Sequence, residues 1–307
     1  MANFYGSYIG FGAGGVVAPY HGWGTNYGFC ASGTTGPPAW PNITLIDKFS
    51  LSADDNATTV GDVTVARRNC AGGFSTTHAY AAGGNGSPGT IDRWSMSGTV
   101  GEAGVGSLVA GNTGCNFGCS SETHGYVAGG DSAETDMIQR YSLVSSANGV
   151  DVGNLSAGSR GDRAGGNQSS DYGYCCGGGS TDIIDKWSFA SGTESGEDIG
   201  DLTAGGGSFG SNSSSTYGYS CGGSRGDEID RFSFATGTQN AVDVGNLENS
   251  TTGKFGSNST SHAYTSGGMY TNINVIEKFS FSDETTNAAD GGANLVTGRS
   301  LGASAQF

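Results

Sequence analysis

The chain has few basic residues and no long apolar run, and each shortage argues against a class of protein. With 13 Lys and Arg against 28 Asp and Glu, its net charge is −15. This charge argues against a protein that follows nucleic-acid phosphates, because that affinity needs clustered cations. No stretch approaches about 18 apolar residues, so we expect no membrane-spanning helix. The first residues lack a basic segment followed by an apolar run, so we also expect no secretory signal.

Glycine is abundant, with 58 of 307 residues, whereas an average protein has about 7%. Composition alone would favour disorder, but a pattern with fixed aromatic positions recurs six times. In residues 171–189, two aromatic residues flank a glycine, followed by two small residues, Gly-Gly, a polar loop, and Ile-acid-base-aromatic-Ser-apolar. The copies begin at Tyr27, His78, His124, Tyr172, Tyr217 and His262. Their spacings of 51, 46, 48, 45 and 45 residues indicate a repeat architecture.

Each unit has the features of several short strands separated by Gly, Ser, Asn and Thr loops, without helical periodicity. We therefore predict an all-β protein, a six-bladed β-propeller over residues 27–307 with blades starting near 27, 78, 124, 172, 217 and 262. Residues 296–307 resemble the strand that precedes an aromatic pair in the other units. We predict that this C-terminal strand pairs into the blade begun at Tyr27, closes the ring and leaves no open sheet edge.

The order of features in each unit resembles the kelch family: a strand ending in Gly-Gly, a polar loop, an aromatic before a turn, and a basic residue opening the next unit. The residues that carry the resemblance are Gly129-Gly130, Gly177-Gly178, Gly222-Gly223, Gly267-Gly268, Trp94, Tyr141, Trp187, Phe232, Phe279, Arg67 and Arg299. The chain departs from the family in lacking a consistent Trp near the end of each unit and in being richer in Gly, Ser and Asn.

Within that family the chain is most similar to Gly/Ser-rich repeat proteins of tailed phages, particularly marine ones. The resemblance implies a structural or attachment component of a virion, made in the host cytoplasm, with capsid or tail proteins as partners. Two alternatives stay open, a carbohydrate-binding propeller and a cytosolic kelch adaptor. The residues least bound to the repeat, and therefore the candidates for contact with a glycan or a partner, are Trp40, Tyr270, Asn272 and Asn274.

Residues 1–26 precede the repeats and have no periodic apolar face, so we expect them to dock on another surface. Their aromatic side chains are Phe4, Tyr5, Tyr8, Phe11, Tyr20 and Trp23. We therefore predict an N-terminal docking arm.

Most cysteines and histidines occupy repeat positions that other residue types fill in other units. Cys30 and Cys175 share a position with Ala81, and Cys176 shares the next one with Ala128. This exchange predicts small buried thiols rather than disulfides or metal ligands, although the pairing of Cys115 and Cys119 stays open. The histidines His78, His124 and His262 replace Tyr at one position. We expect them in different blades, and therefore neither a metal site nor a cofactor.

An acidic residue followed by a basic one recurs in five units, and Gln139-Arg140 is the variant in the third. A catalytic residue is needed once, so a pair in every unit indicates a repeated ion pair or a brace on the backbone. The alternative is a ring of six cations that receives an acidic partner. We assign a structural role to Tyr174, Gly177, Gly178, Asp185, Lys186 and Trp187. A copper-radical oxidase would need unique Tyr, His and Cys residues, so we predict no enzyme and no catalytic residue.

Overall fold

A computed structural model describes residues 26–97, 101–111, 114, 118–130, 136–158, 160–161, 163–190, 194–235, 240–269, 273–283 and 287–306, with the backbone alone at 101–103. Within these ranges the chain forms 24 strands and one short 3-10 turn, Gly223–Arg225. No helix in the described part is long and apolar enough to cross a membrane.

The strands form six four-stranded antiparallel sheets, which are the blades. From the innermost strand outwards, blade 1 contains β24 (Ala303–Gln306), β1 (Tyr27–Ala31), β2 (Leu45–Ser50) and β3 (Thr58–Asp62). Blade 2 contains β4 (Ala71–Phe74), β5 (His78–Ala82), β6 (Thr90–Ser95) and β7 (Gly101–Ser107). Blade 3 contains β8 (Cys119–Ser120), β9 (His124–Ala128), β10 (Met137–Ser142) and β11 (Val150–Asn154).

The remaining three blades follow the same order. Blade 4 contains β12 (Gly165–Gln168), β13 (Tyr172–Cys176), β14 (Ile183–Ser188) and β15 (Glu197–Asp201). Blade 5 contains β16 (Gly210–Ser213), β17 (Tyr217–Cys221), β18 (Glu228–Ser233) and β19 (Val242–Asn246). Blade 6 contains β20 (Phe255–Asn258), β21 (His262–Ser266), β22 (Val275–Ser280) and β23 (Ala289–Asn294).

The innermost strands contact one another in the order β24, β4, β8, β12, β16 and β20, and β20 contacts β24 again. The ring is therefore closed, and the prediction of a six-bladed propeller is confirmed. Closure depends on β24, which pairs antiparallel with β1 from Gly28↔Gln306 to Ala31↔Ala303. The aromatic motif of each repeat marks the second strand of a blade, because the preceding strand lies nearer the axis.

The antiparallel order gives the ring two different ends. We call the turn face the end that carries the turns between the first and second strands of blades 2 to 6, at residues 75–77, 121–123, 169–171, 214–216 and 259–261. The loop face is the opposite end, with the connections between second and third strands and the crossovers from each blade to the next.

Apolar side chains fill the space between blades, and each of six buried clusters joins two neighbouring blades. Tyr126 of blade 3 packs against Trp187 of blade 4, with 6.2 Å between ring centroids. Tyr174 of blade 4 packs in the same way against Phe232 of blade 5, at 5.5 Å. The repeated aromatic residues therefore hold adjacent sheets together through buried apolar area.

The glycine between the two aromatic residues of each repeat is required because an aromatic ring of the adjacent strand lies directly over it. Gly125 pairs with Tyr141 on the adjacent strand, and a Cβ at Gly125 would lie 2.3 Å from the Tyr141 Cζ atom. A Cβ at Gly28 would lie equally close to Phe49. A larger side chain at these positions would displace the ring from the core between the blades.

Several innermost strands donate backbone N–H groups at their unpaired edge to side-chain oxygens of the next blade. The backbone N–H of Phe74 donates to Ser120 Oγ at 3.0 Å, and that of Ser120 donates to Gln168 Oε1 at 2.7 Å. Gln168 N–H continues to Ser213 Oγ at 3.1 Å, and Ser213 N–H to Asn258 Oδ1 at 3.1 Å. These bonds follow the axis wall from blade 2 to blade 6. They surround a cavity of about 50 Å³, which has room for a few waters only.

Truncation after Gly298 removes both β24 and Arg299, which forms an ion pair with Asp47 across the junction between blades 6 and 1. Blade 1 would lose its innermost strand and expose the edge of β1. We expect the truncated chain to lose its cooperative thermal transition, as followed by circular dichroism. A chain shortened only by residue 307 is the control, and an unchanged transition after removal of β24 would contradict ring closure as the basis of folding.

Candidate functional site

A buried acidic side chain occupies the same position on the third strand in five of the six blades. Four are aspartates and one is Glu277, and all are at most 1% exposed. Each forms an ion pair with a buried or nearly buried cation. The pairs are Asp47 with Arg299, Asp92 with Arg67, Asp185 with Arg160, Asp230 with Arg225, and Glu277 with Lys254.

The acidic groups also bind the backbone of the preceding blade, just beyond its outermost strand. Asp92 accepts the backbone N–H of Thr64 at 3.0 Å, and Glu277 accepts that of Asn249 at 2.7 Å. The equivalent donors in the other three charged blades are the N–H groups of Ser156, Thr203 and Val296. We call this arrangement, a third-strand acid with its cation and its N–H donor from the preceding blade, the inter-blade clamp.

The nitrogen–oxygen distance of the clamp is the same when lysine and glutamate replace arginine and aspartate. At the junction of blades 5 and 6, Lys254 Nζ lies 2.8 Å from Glu277 Oε2, and at that of blades 1 and 2, Arg67 lies 2.8 Å from Asp92. Lys254 stands one residue before β20, whereas Arg67 stands four residues before β4, so the two cations reach equivalent acids from different backbone positions. Arg67, Arg160 and Arg299 also donate to backbone carbonyl oxygens, such as that of Ala81, which accepts from Arg67 at 3.0 Å. These contacts add to the pairing of the buried charges.

The partner of each acid is not the basic residue that follows it in sequence. Successive side chains of a strand point to opposite faces of the sheet, so Lys48 and Lys186 lie on the other side from the clamp. Their ammonium groups lie 4.4 and 5.0 Å from the ring centroids of Tyr27 and Tyr172. The acids therefore brace the backbone, as predicted, but each pairs with a cation other than the basic residue that follows it.

Other basic residues that follow the third-strand acid or its glutamine form ion pairs with the next blade. Lys278 Nζ lies 2.5 Å from Asp54 of blade 1, and Arg140 lies 2.7 Å from Glu194 of blade 4. Burial raises the pKa of Glu194, and the Arg140 guanidinium opposes that rise. These cations are half-buried and engaged with aromatic rings or carboxylates.

Blade 3 replaces the charged clamp with a neutral one. Gln139 Oε1 accepts the backbone N–H of Ala110 at 3.1 Å, and Gln139 Nε2 donates to the Ala110 carbonyl at 3.3 Å. The crossover sequence at 109–118 contains no Lys or Arg. An amide there retains the bond to the preceding blade without leaving a buried charge unpaired.

The three histidines of the repeat lie in blades 2, 3 and 6, as the alternation with Tyr predicted. His124 Nδ1 lies 2.8 Å from Thr123 Oγ1, and His262 Nδ1 lies 2.8 Å from Ser261 Oγ. Burial and the nearby Arg140 lower the pKa of His124. Across the described ranges, no three His, Cys, Asp or Glu side chains come together in a way that could hold a metal ion.

The six described cysteines are free thiols in the interior, in agreement with their predicted exchange with alanine. Burial raises the pKa values of Cys30 and Cys175 to about 12, although Arg299 and Arg160 respectively lower them in part. A protonated thiol is a poor nucleophile and a poor metal ligand. Cys119 is also buried, and Cys115 lies outside the described residues.

The structure describes two of the four proposed glycan or partner contacts, and both lie on the loop face of neighbouring blades. Trp40 is partly buried in the connection between β1 and β2. Asn274 donates to the Leu295 carbonyl at 3.4 Å, so it braces its own blade. Tyr270, Asn272 and the six aromatic residues of the arm lie outside the described residues.

Two recesses on the turn face were not expected from the sequence. One, of about 380 Å³, lies between blades 3 and 4 and includes Glu122, Asp171 and Phe189. The other, of about 360 Å³, lies between blades 6 and 1 and includes Leu51, Ser261 and His262. We call them the 3/4 groove and the 6/1 groove. Each forms between residues of two different repeat units, so the pattern within a single repeat does not predict it.

No family model matches the chain, and no curated protein matches it. The fold is a six-bladed β-propeller, and the charged groups described in its interior belong to inter-blade contacts.

The clamp should contribute strongly to stability when one partner is removed. Asp92→Ala would leave Arg67 buried without its carboxylate, so we expect a loss of about 3–5 kcal/mol in the free energy of unfolding. Gln139→Ala is the matched control at the neutral clamp and should cost about 1–3 kcal/mol.

Both values come from urea denaturation followed by fluorescence. The double variant Asp92→Leu and Arg67→Met removes both charges and should recover most of the loss. An Asp92→Ala cost no larger than that of Gln139→Ala would contradict the role of the buried charge.

Proposed function

We propose that the protein is a non-enzymatic structural or attachment component of a virus particle, of the tailed-phage type. The observation that supports a non-enzymatic role is that the interior acids, thiols and histidines recur at equivalent positions in several blades. A reaction centre needs one set of groups in one place. The particle assignment rests on the resemblance of the repeat to Gly/Ser-rich phage proteins.

The two faces of the ring suit a component that connects a particle to its surroundings. β1 begins with Tyr27 at the turn face, so the proposed docking arm would join the propeller at that face. The loop face, with Trp40 and Asn274, then points away from the particle. An arm on one face and variable loops on the other would separate attachment to the particle from contact with the host.

The distribution of charge supports a discrete protein that does not bind nucleic acid. Of the 13 basic residues, five are the clamp cations and six lie on the third strands. The outermost strands instead carry Asp151, Asp198, Asp243 and Asp290, each of which accepts the N–H of a glycine two residues later. Acidic outer strands discourage edge-to-edge association with other sheets.

A carbohydrate-binding propeller is the second candidate, and the 3/4 groove is the observation that favours it. Its acidic residues Glu122 and Asp171 and its hydroxyl groups can accept or donate hydrogen bonds to sugar hydroxyls. The partly buried Phe189 offers an aromatic surface beside them. The two candidates are compatible, since an attachment protein can recognise a host glycan.

Deletion of residues 1–25 tests the proposed function. We expect the shortened protein to remain a folded, soluble propeller but to be absent from assembled particles, as measured by quantitative mass spectrometry of purified virions. Incorporation at the level of the full chain would contradict the role of the arm. The same soluble propeller is applied to a glycan array, where the absence of binding would leave the structural role alone.

A further inference from the structure

The innermost strands present two levels of residues to the axis of the ring. The last residue of each strand forms one level, which we call the polar collar: Phe74, Ser120, Gln168, Ser213, Asn258 and Gln306. The residue two positions earlier lies on the same side of its strand and forms the second level: Gly72, Gly118, Gly166, Ser211, Gly256 and Ser304. All of the second level and five residues of the collar line the cavity of about 50 Å³, which we call the axial cavity.

The bonds along the axis wall use the oxygen atoms of the collar amides. Gln168 Oε1 accepts the backbone N–H of Ser120 at 2.7 Å. Asn258 Oδ1 accepts the backbone N–H of Ser213 at 3.1 Å and Asn212 Nδ2 at 3.0 Å. These bonds fix which end of each amide is the oxygen, so both NH₂ groups are left over. Within the described residues, Gln168 Nε2 is buried and has no partner.

The collar serine between these two amides is in the same condition. Ser213 Oγ accepts the backbone N–H of Gln168 at 3.1 Å and Asn167 Nδ2 at 3.4 Å. A hydroxyl group that accepts two bonds retains its hydrogen as a donor. Blades 4, 5 and 6 therefore each bring a hydrogen-bond donor to the wall of the axial cavity.

The backbone carbonyls of the second level are directed at the next strand. A Cβ on Gly118 would overlap the Gly72 carbonyl oxygen, and a Cβ on Gly256 would overlap that of Ser211. These oxygens lie against glycine carbons of the next blade, in contacts of the Cα–H···O type. A hard cation needs several oxygen ligands directed at one point, so this wall suits an anion better.

The charges around the cavity also favour an anion. Lys254 is the one charged residue among the described residues that line it, and its partner Glu277 lies farther out, on the third strand of the blade. Arg67 is placed similarly, since it donates to the Ala81 carbonyl in the second strand and pairs with Asp92 in the third. In these clamps the positive partner is the one nearer the axis, and this raises the potential there.

We propose that the axial cavity binds one small monovalent anion, such as chloride, through Gln168 Nε2, Asn258 Nδ2 and the Ser213 hydroxyl group. A halide ion occupies little more space than a water molecule, and a cavity of about 10–15 Å³ already holds one water. Hydrogen bonds to a charged group are stronger than those between neutral groups. The anion therefore stabilises the innermost strands of blades 4, 5 and 6 against one another.

Bromide tests the site directly in the unaltered full chain, because it replaces chloride and scatters X-rays anomalously. Crystals are grown with sodium bromide as the only halide salt. We expect an anomalous peak in the axial cavity within hydrogen-bond distance of Gln168 Nε2 and Asn258 Nδ2. Water density there without an anomalous signal would overturn the proposal.

A second test measures stability in solution and needs one substitution. Asn258→Asp keeps an oxygen for Ser213 and Asn212 but replaces the NH₂ group with a carboxylate oxygen that repels an anion. Asn287→Asp is the matched control, because Asn287 Oδ1 also accepts a backbone N–H of the preceding blade, that of Asn246 at 3.0 Å. Asn287 lies on the exposed outer edge, far from the axis.

Urea denaturation compares sodium chloride with sodium gluconate, whose anion is too large for the cavity, at equal ionic strength and mildly alkaline pH. At a chloride concentration about ten times the Kd, the unfolding equilibrium constant should fall about elevenfold in the unaltered protein and in Asn287→Asp. It should not change in Asn258→Asp. Gln168→Glu, which keeps the acceptor for Ser120, replaces Asn258→Asp if that variant does not fold. An equal effect of chloride in the axial variant and the control, or none in the unaltered protein, would refute the site.

Discussion

The buried inter-blade clamp is the interaction on which the rest of the structure depends. An isolated four-stranded blade has two apolar faces and cannot bury them without neighbours. The apolar clusters supply the attraction between blades, but they do not fix how one sheet is placed against the next. A carboxylate that must meet both a cation and a backbone N–H of the preceding blade restricts that placement, because either group left unpaired in the interior is costly.

The clamp also shows why side chains that resemble an active site are structural in this chain. Asp47 and Asp185 are fully buried and each lies beside a buried arginine, features that in a single copy would suggest an active site. Because equivalent groups recur around the ring, we infer that they hold neighbouring blades together. The same reasoning applies to Cys30 and Cys175, whose thiols are held protonated by burial. Function is therefore to be sought at the two faces and in the arm, where the repeats differ.

Much of the fold could be predicted from the sequence, because the repeat carries its own local rules. The glycine between two aromatic residues is required by a ring such as that of Tyr141 above Gly125, and the spacing of the motif fixes the number of blades. The role of β24 followed from a strand-like segment without an aromatic pair of its own.

The clamp cations could not be assigned in the same way. Arg67 and Arg299 stand four residues before the innermost strand, Lys254 stands one residue before it, and Arg225 comes from the connection between β17 and β18. Arg67 and Arg160 each stand 25 residues before their acids, whereas Lys254 stands 23 and Arg225 only five residues before theirs, so no single spacing holds around the ring. The grooves of the turn face could not be predicted from the sequence either. Residues 51 and 261 of the 6/1 groove, for example, meet only after the ring has closed.

Native-state hydrogen exchange in increasing denaturant tests most directly whether the clamped blades behave as one closed unit. We predict that the slowest amides of the second strands in all six blades share one free energy of opening and one dependence on denaturant. If a blade lost its protection at lower denaturant than the others, independently of them, the ring would not be a single cooperative body, and the clamp could not be the constraint that holds it.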